Sequence, residues 1–494
     1  MNCSSRKMPT QRRPQLLVLV LAFAAIVSGC ADMGGIAPRA HLADPQALGL
    51  GKEIDAIPTS PANWPTEKWW EIYQDQQLNT LVEQAIKDNP SIKNAAARID
   101  EALAVAGIVQ SESKPQVGAR ISAGRLRYSE QDFIPPPYAG NYAWSNSAFL
   151  SASYELDLFG KQSHSDAAAL DNVHASQAEA QQARLALQSL VVHAYIDLSL
   201  QYALRDAEQS ALIQEQKLVE IAQRRRAIGL GTQLEVSQAQ APIPVTQGHL
   251  KQINERIESL QHQLAALASG DQRTADTITR PVLKPIAGIA LPSNLPAELL
   301  GHRPDIVANR WRVEAHAHGI DVAKTEFYPN VNLSAMLGFQ SLGFNGFLNN
   351  KSLMDGVTPA ISLPIFTGGK LRSNLGVQTA RYDQAVERYN KSVIDALHDV
   401  ADQISALRSL TEQQHDTQNA IDLANRSYDL ALRGYRSGLT DYTHVLSAQL
   451  NVLTQHQNDV RVQFGQLNAY AGLMCSLGGG AQIRTEQSEA HDDN

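Results

Sequence analysis

The sequence of 494 residues predicts an α+β membrane protein with an internal two-fold repeat, in which long, near-straight α-helices predominate over four β-strands. Three observations support this fold class. A run of 67 residues from Lys370 to Arg436 contains no proline, and a similar run occurs earlier in the chain. In addition, four short segments alternate between apolar and polar residues.

The proline-free run has apolar residues at spacings of three and four, in a pattern that repeats every eleven residues. These residues are Tyr382, Ala385, Tyr389, Val393, Ala396, Val400, Ile404 and Leu407. A period of about 3.67 residues per turn keeps an apolar stripe nearly straight along a helix. At a rise of roughly 1.5 Å per residue, the helix would be about 100 Å long, which excludes a compact domain.

The earlier run is an ungapped counterpart of the later one. Residues 161–270 align with residues 370–479 at a constant offset of 209 positions. Upstream, Pro90 and Pro115 match Pro304 and Pro329 at an offset of 214. Self-similarity of this kind indicates one structural unit of about two hundred residues written twice.

The repeat and the local composition together predict the segments of the chain. They are a lipoprotein-type signal peptide over residues 1–29, a lipidated N-terminus and linker over 30–77, a first repeat over 78–270, a linker over 271–297, a second repeat over 298–480 and a disordered tail over 481–494.

The N-terminus has the pattern of an export signal. Four basic residues among the first thirteen precede an apolar stretch, Leu16 to Val27, that is short for a membrane span. It ends in Val27-Ser28-Gly29-Cys30, which resembles the bacterial lipobox and predicts lipidation of Cys30. Ala31 follows in place of aspartate, which favours delivery to the outer membrane. The alternative is an ordinary signal peptide with an incidental cysteine.

Composition and motifs argue against several function classes. A net charge of -8 without a long basic run gives no support for a nucleic-acid partner. The histidines of Glu314-Ala315-His316-Ala317-His318 lack the spacing of a zinc protease, so this segment is interpreted as helix surface. Gly368-Gly369-Lys370 lacks the first glycine of a phosphate loop, and Cys475 has no local base. We therefore predict no enzyme activity, cofactor or metal.

The first repeat begins with an amphipathic helix. Trp69-Trp70-Glu71-Ile72-Tyr73 precedes apolar residues at helical spacing from Leu78 to Ile86, and the aromatic residues are expected to pack this helix against the body. Asn89-Pro90-Ser91 should break the helix and start a new one that continues to about Ser113, because proline is tolerated in a first helical turn.

The four alternating segments predict strands of roughly ten residues, each with one apolar and one polar face. Their apolar positions are Val117, Ala119, Ile121 and Ala123; Leu150, Ala152, Tyr154, Leu156 and Leu158; Val331, Leu333, Ala335, Leu337 and Phe339; and Val357, Ile361, Leu363 and Ile365. The connectors Tyr128 to Asn146 and Ser341 to Gly356 predict two hairpins with exposed loops. Pro359 and Pro364 are expected only at the ends of the last strand or in a bulge.

Four strands are too few for a membrane-spanning sheet, which must close on itself because lipid cannot satisfy an open edge. Single-chain barrels begin at about eight strands. Two copies of the chain would supply eight strands and three copies twelve, and strand counting alone does not choose between them. A soluble sheet remains the alternative at this stage.

The long helices are expected to reverse direction at two glycine-containing tips. These are Gly229-Leu230-Gly231-Thr232 and Gly438-Leu439-Thr440-Asp441, where glycine can end one helix and Thr232, Thr440 or Asp441 can cap the next. Such tips are candidate docking sites for a partner. Pro242-Ile243-Pro244 should interrupt the returning helix of the first repeat, whereas the second repeat has Asn451-Val452-Leu453 there.

With these features, the chain resembles the TolC-like outer-membrane factor family, in particular its lipoprotein branch that serves RND-type tripartite drug efflux pumps. The resemblance covers nearly all of the chain from Cys30 to Gly480. Its marks are Trp69-Trp70, Arg303-Pro304-Asp305-Ile306, Phe327-Tyr328-Pro329-Asn330, Leu158-Phe159-Gly160-Lys161 and Leu363-Pro364-Ile365-Phe366-Thr367-Gly368-Gly369-Lys370.

The resemblance implies a homotrimer in the outer membrane. Its twelve-stranded β-barrel would continue into a periplasmic barrel of long helices, and the two tips would meet a periplasmic adaptor protein bound to an inner-membrane transporter. Drugs or other toxic small molecules would pass through this duct. Two alternatives remain open: a type I protein secretion duct, and a periplasmic coiled-coil lipoprotein that forms no channel.

The second tip departs from the family pattern. Family members often place aspartates one and two turns beyond it, where they form a cation-binding ring at the constriction. Here the corresponding positions are His444 and Ser447, and Asp441 is the nearest carboxylate. A histidine at the constriction would predict a gate that responds to mild acid.

Overall fold

The computed structural model describes residues 33–44, 59–60, 64–268, 270, 272–286, 291–292 and 301–481. The predicted signal peptide, the lipidation residue Cys30 and the tail beyond Ala481 lie outside these residues. None of the described helices has a stretch that is both long and apolar enough to cross a membrane.

The described helices and strands follow the predicted repeat. The helices are α1 (Gln76–Asp88), α2 (Pro90–Glu112), α3 (Lys161–Ala227), α4 (Gln233–Gln240), α5 (Pro242–Leu267), α6 (Gln272–Thr277), α7 (Pro304–Thr325), α8 (Lys370–Arg436) and α9 (Tyr442–Ser476). The strands of the four-stranded sheet are β1 (Gln116–Arg127), β2 (Tyr142–Leu156), β3 (Asn330–Leu342) and β4 (Leu353–Ser362), and the two-residue strands Thr59–Ser60 and Leu291–Pro292 pair with each other in parallel.

Helices α3 and α8 confirm the two long runs, and each contains 67 residues. Helix α8 begins at Lys370 and ends at Arg436, as the proline-free run predicts. Seven of its eight predicted apolar positions are buried, and Tyr382 is half-buried. The eleven-residue pattern therefore marks the face by which this helix packs.

The described residues fall into two compact units. Of the described residues, the first unit takes in 33–42, Asp100–Ala175 and Arg310–Arg388, and it contains the four-stranded sheet. The second unit takes in Ala43–Ile99, Ser176–Asn309 and Tyr389–Asn494.

The sheet of the first unit has the order β1-β2-β3-β4, with every neighbouring pair antiparallel. Both predicted hairpins, β1-β2 and β3-β4, are confirmed. Strand β2 begins at Tyr142, eight residues before its first predicted position, Leu150, so the connector of the first hairpin is shorter than expected.

Strand β4 corrects the expectation about its prolines. It ends at Ser362, so Pro364 lies beyond it, but Pro359 is inside the strand and opposite Leu333 in an unbroken register. The position is tolerated because β4 is an edge strand of this sheet, where a missing N–H need not remove a ladder hydrogen bond.

A small apolar core in the first unit holds the N-terminal segment. Ile320, Ala323, Phe327 and Leu375 are buried together, and Met33 and Ile36 pack against them. The backbone N–H groups of Arg39 and Ala40 each donate to Asp383 Oδ1 at 3.0 Å. Residues 33–44 have no helix or strand, as a linker predicts, yet they are docked on α7 and α8.

The second unit contains the larger core, which begins at the tryptophan pair. Trp69, Trp70 and Tyr73 are buried, and they pack with residues of α1, α3, α5, α8 and α9. The Tyr73 hydroxyl donates to the carbonyl oxygen of Leu467 at 2.9 Å. This confirms that the aromatic residues anchor the first helix of the chain to the body.

The expected linker over 271–297 and the proline-containing segment after the first tip both contain helix. The expected linker over 271–297 includes α6, and Thr279 N–H and Val282 N–H donate to side chains of the α1 region, Gln77 and Asp75. The prolines after the first tip interrupt the returning helix between α4 and α5, whereas α9 is continuous. Ala241 at the break keeps helical dihedral angles.

Candidate functional site

The strand register places the predicted apolar positions that lie within the four strands on one face of the sheet, whereas Leu158, Leu363 and Ile365 lie beyond the strand ends. Val117, Ala152, Ala335 and Val357 form one row across the strands, and Ala119, Leu150 and Leu337 form part of the next. Side chains alternate between the two faces of a strand, so residues that share a face in one row also share it at every second position along the strands. The sheet therefore has a continuous apolar face.

The opposite face of the sheet is mixed, with many serine, threonine and glutamine residues between apolar ones such as Phe149, Met336 and Met354. One row consists of Gln116, Ser153, Ser334 and Thr358. On the same face, Ser122 Oγ and Ser147 Oγ are hydrogen-bonded at 2.7 Å.

The apolar face is exposed in the single chain. Ile121 retains 80% of its accessible surface and Val357 68%, and Val117, Leu150, Leu337 and Ile361 are also exposed. An exposed apolar surface of this extent in a folded protein marks an interaction or membrane site.

The ends and edges of the apolar face have a distinct chemistry. At the hairpin end of β1 and β2, Tyr142 and Trp144 lie opposite Arg127 and Arg125, a combination that is typical of a membrane interface. Among the described residues, β1 and β4 each pair on one side only. On the apolar face, the β4 edge carries Asp355, whereas the β1 edge carries the two arginines.

Both predicted tips are tight turns with the expected chemistry. Gly229 and Gly438 each have φ of +77°, a left-handed conformation that glycine adopts without strain. Leu230 N–H donates to Arg225 O at 2.9 Å, and Leu439 N–H donates to Gly434 O at 2.9 Å, which ends each helix in the same way.

Each tip is followed by a capped helix. Thr232 Oγ1 accepts from Glu235 N–H at 3.2 Å at the start of α4, and Asp441 Oδ1 accepts from His444 N–H at 3.4 Å at the start of α9. Of the three predicted capping residues, Thr440 is the one that does not cap a helix.

The tips present apolar side chains to solvent. Leu230 is 64% exposed and Leu439 is 82% exposed in the single chain, and Ile228 and Leu234 next to the first tip are exposed as well. Leucine side chains at equivalent places in both tips form a surface that can accept an apolar partner.

The two tips are joined by contacts that the sequence did not indicate. Arg225 stacks on the ring of Tyr435, with its guanidinium carbon 4.5 Å from the ring centroid, and donates to the carbonyl oxygens of Tyr435 at 2.7 Å and Leu230 at 3.1 Å. The Tyr435 hydroxyl donates to Glu235 Oε2 at 2.8 Å. Burial and the Glu235 carboxylate raise the pKa of Tyr435 to about 12.

The three gate candidates lie on the exposed side of α9. Asp441, His444 and Ser447 follow one another at intervals of three residues, and all are exposed. His444 Nδ1 lies 2.7 Å from Asp441 Oδ1. Hydrogen bonds from Thr443 and from His444 lower the pKa of Asp441. The structure brings the two titratable groups together, and the role of the three residues in a gate stays a prediction.

The excluded motifs occupy ordinary structural positions. Gly368 and Gly369 have positive φ in the turn that leads from β4 to α8, and burial raises the pKa of the Cys475 thiol to about 11. His316 and His318 lie on helix α7, as expected, and both are half-buried there.

The chain matches the family described as outer membrane efflux protein over residues 81–270 and 295–479. Fusaric acid resistance protein FusA of Burkholderia cepacia is 40% identical over 370 residues, which cover 74% of this chain and 69% of that protein. Multidrug resistance outer membrane protein MdtQ of Escherichia coli O157:H7 is 30% identical over 466 residues, which cover 92% and 96% respectively.

Solved structures agree with these relatives. The outer membrane protein VceC of Vibrio cholerae superimposes with a TM-score of 0.80 and 33% identity, covering 84% of this chain and all of that one. The outer-membrane channel OprN gives a TM-score of 0.79 and 26% identity, covering 91% of this chain and 98% of that one. The family profile, the relatives and the shared fold together show that this chain belongs to the outer membrane efflux protein family, whose members form efflux channels in the outer membrane.

Proposed function

We propose that three copies of this chain form the outer-membrane duct of a tripartite efflux pump for toxic small organic molecules. The observation that carries the proposal is the apolar face that extends over all four strands and is exposed in the single chain. Two solved channels of this fold are outer-membrane proteins. Two relatives are named for resistance to fusaric acid and to multiple drugs, which supports small organic molecules as the cargo.

Three copies would close the sheet into a twelve-stranded barrel. Each copy has two strands, β1 and β4, that pair on one side only within the described residues. Pairing of β4 with β1 of the next copy would satisfy these edges, which lipid cannot.

The channel proposal is tested by placing one charge on either face of the same strand. Ile121→Asp puts a carboxylate on the apolar face, and we expect it to abolish membrane insertion. The matched control, Ser122→Asp, puts the same group on the opposite face and should preserve insertion, trimer formation and single-channel conductance in planar bilayers. Wild-type protein that remains a soluble monomer without detergent would refute the channel.

The lipid anchor is a separate part of the proposal. Acylation of Cys30 would hold the N-terminal segment at the membrane, and a lipid chain adds its own membrane affinity. Mass spectrometry of the purified protein should find an acylated cysteine at its first residue. The Cys30→Ser variant should lose this mass and still insert through the sheet.

The tips would bind a periplasmic adaptor that is itself bound to an inner-membrane transporter. The exposed leucines at equivalent places in both tips support this role. Leu439→Asp should abolish drug resistance in cells that express the partner proteins, while trimer formation and conductance remain. Leu439→Met keeps the apolar surface and should behave as wild type. Full resistance in the aspartate variant would place the adaptor elsewhere.

Asp441, His444 and Ser447 would line the periplasmic gate. If His444 faces the constriction, its protonation in mild acid adds a ring of positive charge and should change the conductance. Recordings at about pH 5.5 and pH 7.5 should then differ in wild type and agree in His444→Ala. Equal pH responses in the two proteins would remove His444 from the gate.

A further inference from the structure

Two histidines from distant parts of the sequence meet in the first unit. His164 lies in the first turn of α3 and His318 near the end of α7, and their Nδ1 atoms are 3.3 Å apart. Asp321, one turn after His318, brings a carboxylate oxygen so close that the three candidate ligand atoms lie within 4.8 Å of one another. All three residues are half-buried.

The spacing of the two nitrogens suits a tetrahedral metal ion. Zinc binds histidine nitrogen at about 2.0 to 2.1 Å. An ion at that distance from two nitrogens 3.3 Å apart subtends an angle of about 107° between them, close to a tetrahedral angle. The separation of the two nitrogens is therefore compatible with one shared ion, toward which both rings would turn slightly. In the metal-free protein, one of the two Nδ1 atoms must carry a proton and donate it to the other, and the ion would replace that proton.

Asp321 supplies the third ligand after a small movement. Its Oδ1 is 2.9 Å from Lys324 Nζ, and both side chains are partly exposed. Rotation of the carboxyl group can bring its oxygen to the ion, either beside the lysine or in place of it. Lys324 is therefore a competitor for the carboxylate, which makes its removal informative.

A second carboxylate is placed behind one of the histidines. His318 Nε2 lies 3.7 Å from Asp171 Oδ2, and the Asp171 side chain is nearly buried. Metal-binding histidines commonly direct their second nitrogen to a carboxylate, which orients the ring and raises its basicity as a ligand. Asp171, on α3, thus stands where a supporting carboxylate is needed while His318 Nδ1 faces His164.

We propose that His164, His318 and Asp321 bind one divalent transition-metal ion per chain, with Zn²⁺ as the best match to the ligand set and a water molecule in the fourth position. Imidazole and carboxylate ligands suit Zn²⁺ and its neighbours in the first transition row. The ion would clamp the first turn of α3, which follows β2, to the last turns of α7, which precede β3. This binding site is additional to the channel function and does not depend on it.

The test measures Zn²⁺ binding to the full-length protein, purified in detergent and freed of metal with a chelator. Calorimetric titration should give one Zn²⁺ per chain, and Co²⁺ should give the visible absorption bands of a tetrahedral site. We expect His164→Ala and His318→Ala each to lose at least a hundredfold in affinity. Asp171→Asn should lose about tenfold to a hundredfold, the usual effect of a supporting carboxylate.

Two further variants distinguish this site from adventitious binding. His316→Ala is the matched control, since His316 is on the same helix but faces the guanidinium groups of Arg312, Arg381 and Arg388, and it should bind as wild type does. Lys324→Ala should bind a few-fold more tightly because it frees Asp321.

Two outcomes of the titration would contradict the proposed metal site. Wild-type affinity in His318→Ala, or no stoichiometric binding by the wild type, would overturn the proposal. Circular dichroism of each variant shows whether it is folded, and Asp171→Asn and Lys324→Ala keep the test decisive if a histidine variant does not fold. Bilayer conductance is measured on the same samples, so that a failed metal site and a failed channel are told apart.

Discussion

The helices of the two repeats begin and end at equivalent residues. In each repeat, a side chain at the start of the first long segment is hydrogen-bonded to the end of the last helix, but the residue type differs. In the first repeat, Asn89 lies before the first proline of α2 and donates through Nδ2 to the carbonyl oxygen of Leu267 at 2.8 Å. In the second, Arg303 lies before the first proline of α7 and donates through Nη1 to the carbonyl oxygen of Ser476 at 3.2 Å. The equivalent carbonyl group is therefore bound by a side-chain amide in the first repeat and by a guanidinium in the second.

The arginine requires partners that the asparagine does not. Arg303 is almost fully buried and forms a bidentate pair with Asp305, at 2.8 and 3.1 Å, as well as a bond to Asp399 at 3.0 Å. Positions 91 and 190 of the first repeat, which correspond to these two aspartates, hold serine and leucine. The second repeat thus has a buried arginine together with two aspartates that pair with it, and the first repeat has none of the three. An unpaired buried charge would be destabilising.

The tips show a second coupled exchange. In the first tip, position 225 is arginine and position 231 is glycine; a Cβ on Gly231 would lie 3.1 Å from Arg225 Cβ and 3.0 Å from Arg226 N. In the second tip, the equivalent positions are Gly434 and Thr440, and a Cβ on Gly434 would lie 2.9 Å from Thr440 Oγ1. Each tip has room for only one side chain where these two positions meet. The first repeat places that side chain before the turn, at Arg225, and the second repeat places it after the turn, at Thr440.

The two repeats therefore share their backbone geometry, whereas interacting side chains differ between them in matched sets. Variants that change one member of a set should therefore cost more than variants that change the set together.

The largest loss of stability is expected where Arg303 binds the end of the last helix of the second repeat. Arg303→Ala removes the charged hydrogen bonds to Asp305 and Asp399 and the bond to the carbonyl oxygen of Ser476, and it should reduce the free energy of unfolding by about 3 kcal/mol. Asn89→Ala removes one neutral hydrogen bond and should cost only about 1 kcal/mol. Urea unfolding followed by tryptophan fluorescence measures both, because Trp69 and Trp70 lie in the core of the same unit. Equal losses would show that the charge adds nothing to this contact.

The next effect concerns the contact between the tips. Arg225→Ala removes two hydrogen bonds to carbonyl groups and the stacking on Tyr435, and should cost about 2 kcal/mol of local stability. Hydrogen exchange of the amides around both tips should increase together. Arg224→Ala is the control, since its side chain is largely exposed and forms an exposed ion pair with Glu220. Faster exchange in the first tip alone would contradict the proposed link.

The different placement of glycine predicts different responses to a Gly→Ala substitution in the two tips. Gly231→Ala meets backbone atoms that cannot move away and should lose about 1 to 2 kcal/mol. Gly434→Ala meets only the movable end of Thr440 and also gains helix propensity, so it should be nearly neutral. Combined with Thr440→Gly, it should become stabilising by about 1 kcal/mol relative to Thr440→Gly alone. Local hydrogen exchange provides the measurement, and additivity of the two changes would refute the coupling.

The smallest effect is at a buried acid that the second repeat lacks. Glu215 is buried on α3 and accepts from Thr246 Oγ1 at 2.9 Å, whereas the equivalent residue of α8 is the buried Ala424. Burial, and secondarily the nearby Glu208, raises the pKa of Glu215 above its usual value of 4.5. The folded protein therefore disfavours the ionised carboxyl group. The resulting penalty is absent below the unfolded pKa and grows as the pH rises toward the folded pKa.

Glu215→Gln should accordingly stabilise the protein by about 1 kcal/mol at neutral pH and leave it unchanged in acid below the unfolded pKa. The apparent melting temperature at both pH values measures this. Glu258→Gln, at an exposed position of α5, should change neither. A gain in acid equal to that at neutral pH would mean that the charge is not its cause.

Periodicity and turn chemistry predicted the helices, the repeat and the tips. Lys370 and Arg436 bound α8 as expected because proline exclusion and apolar spacing act over a few residues at a time. The early start of β2 at Tyr142 was missed, since aromatic and asparagine residues there resembled a loop. The placement of Pro359 inside β4 depends on that strand having an edge, which pairing between distant segments decides.

The sequence by itself determined the long helices, the two-fold repeat, the faces of the strands and the residues of both tips, because each of these follows from spacing within a short segment. Only the tertiary structure decided that Arg225 meets Tyr435, that Arg303 reaches Ser476 and that His164 meets His318. These contacts join residues that lie from 154 to 210 positions apart. The fold creates such proximity by packing helices side by side, and no local pattern of residue types records which side chains will face each other.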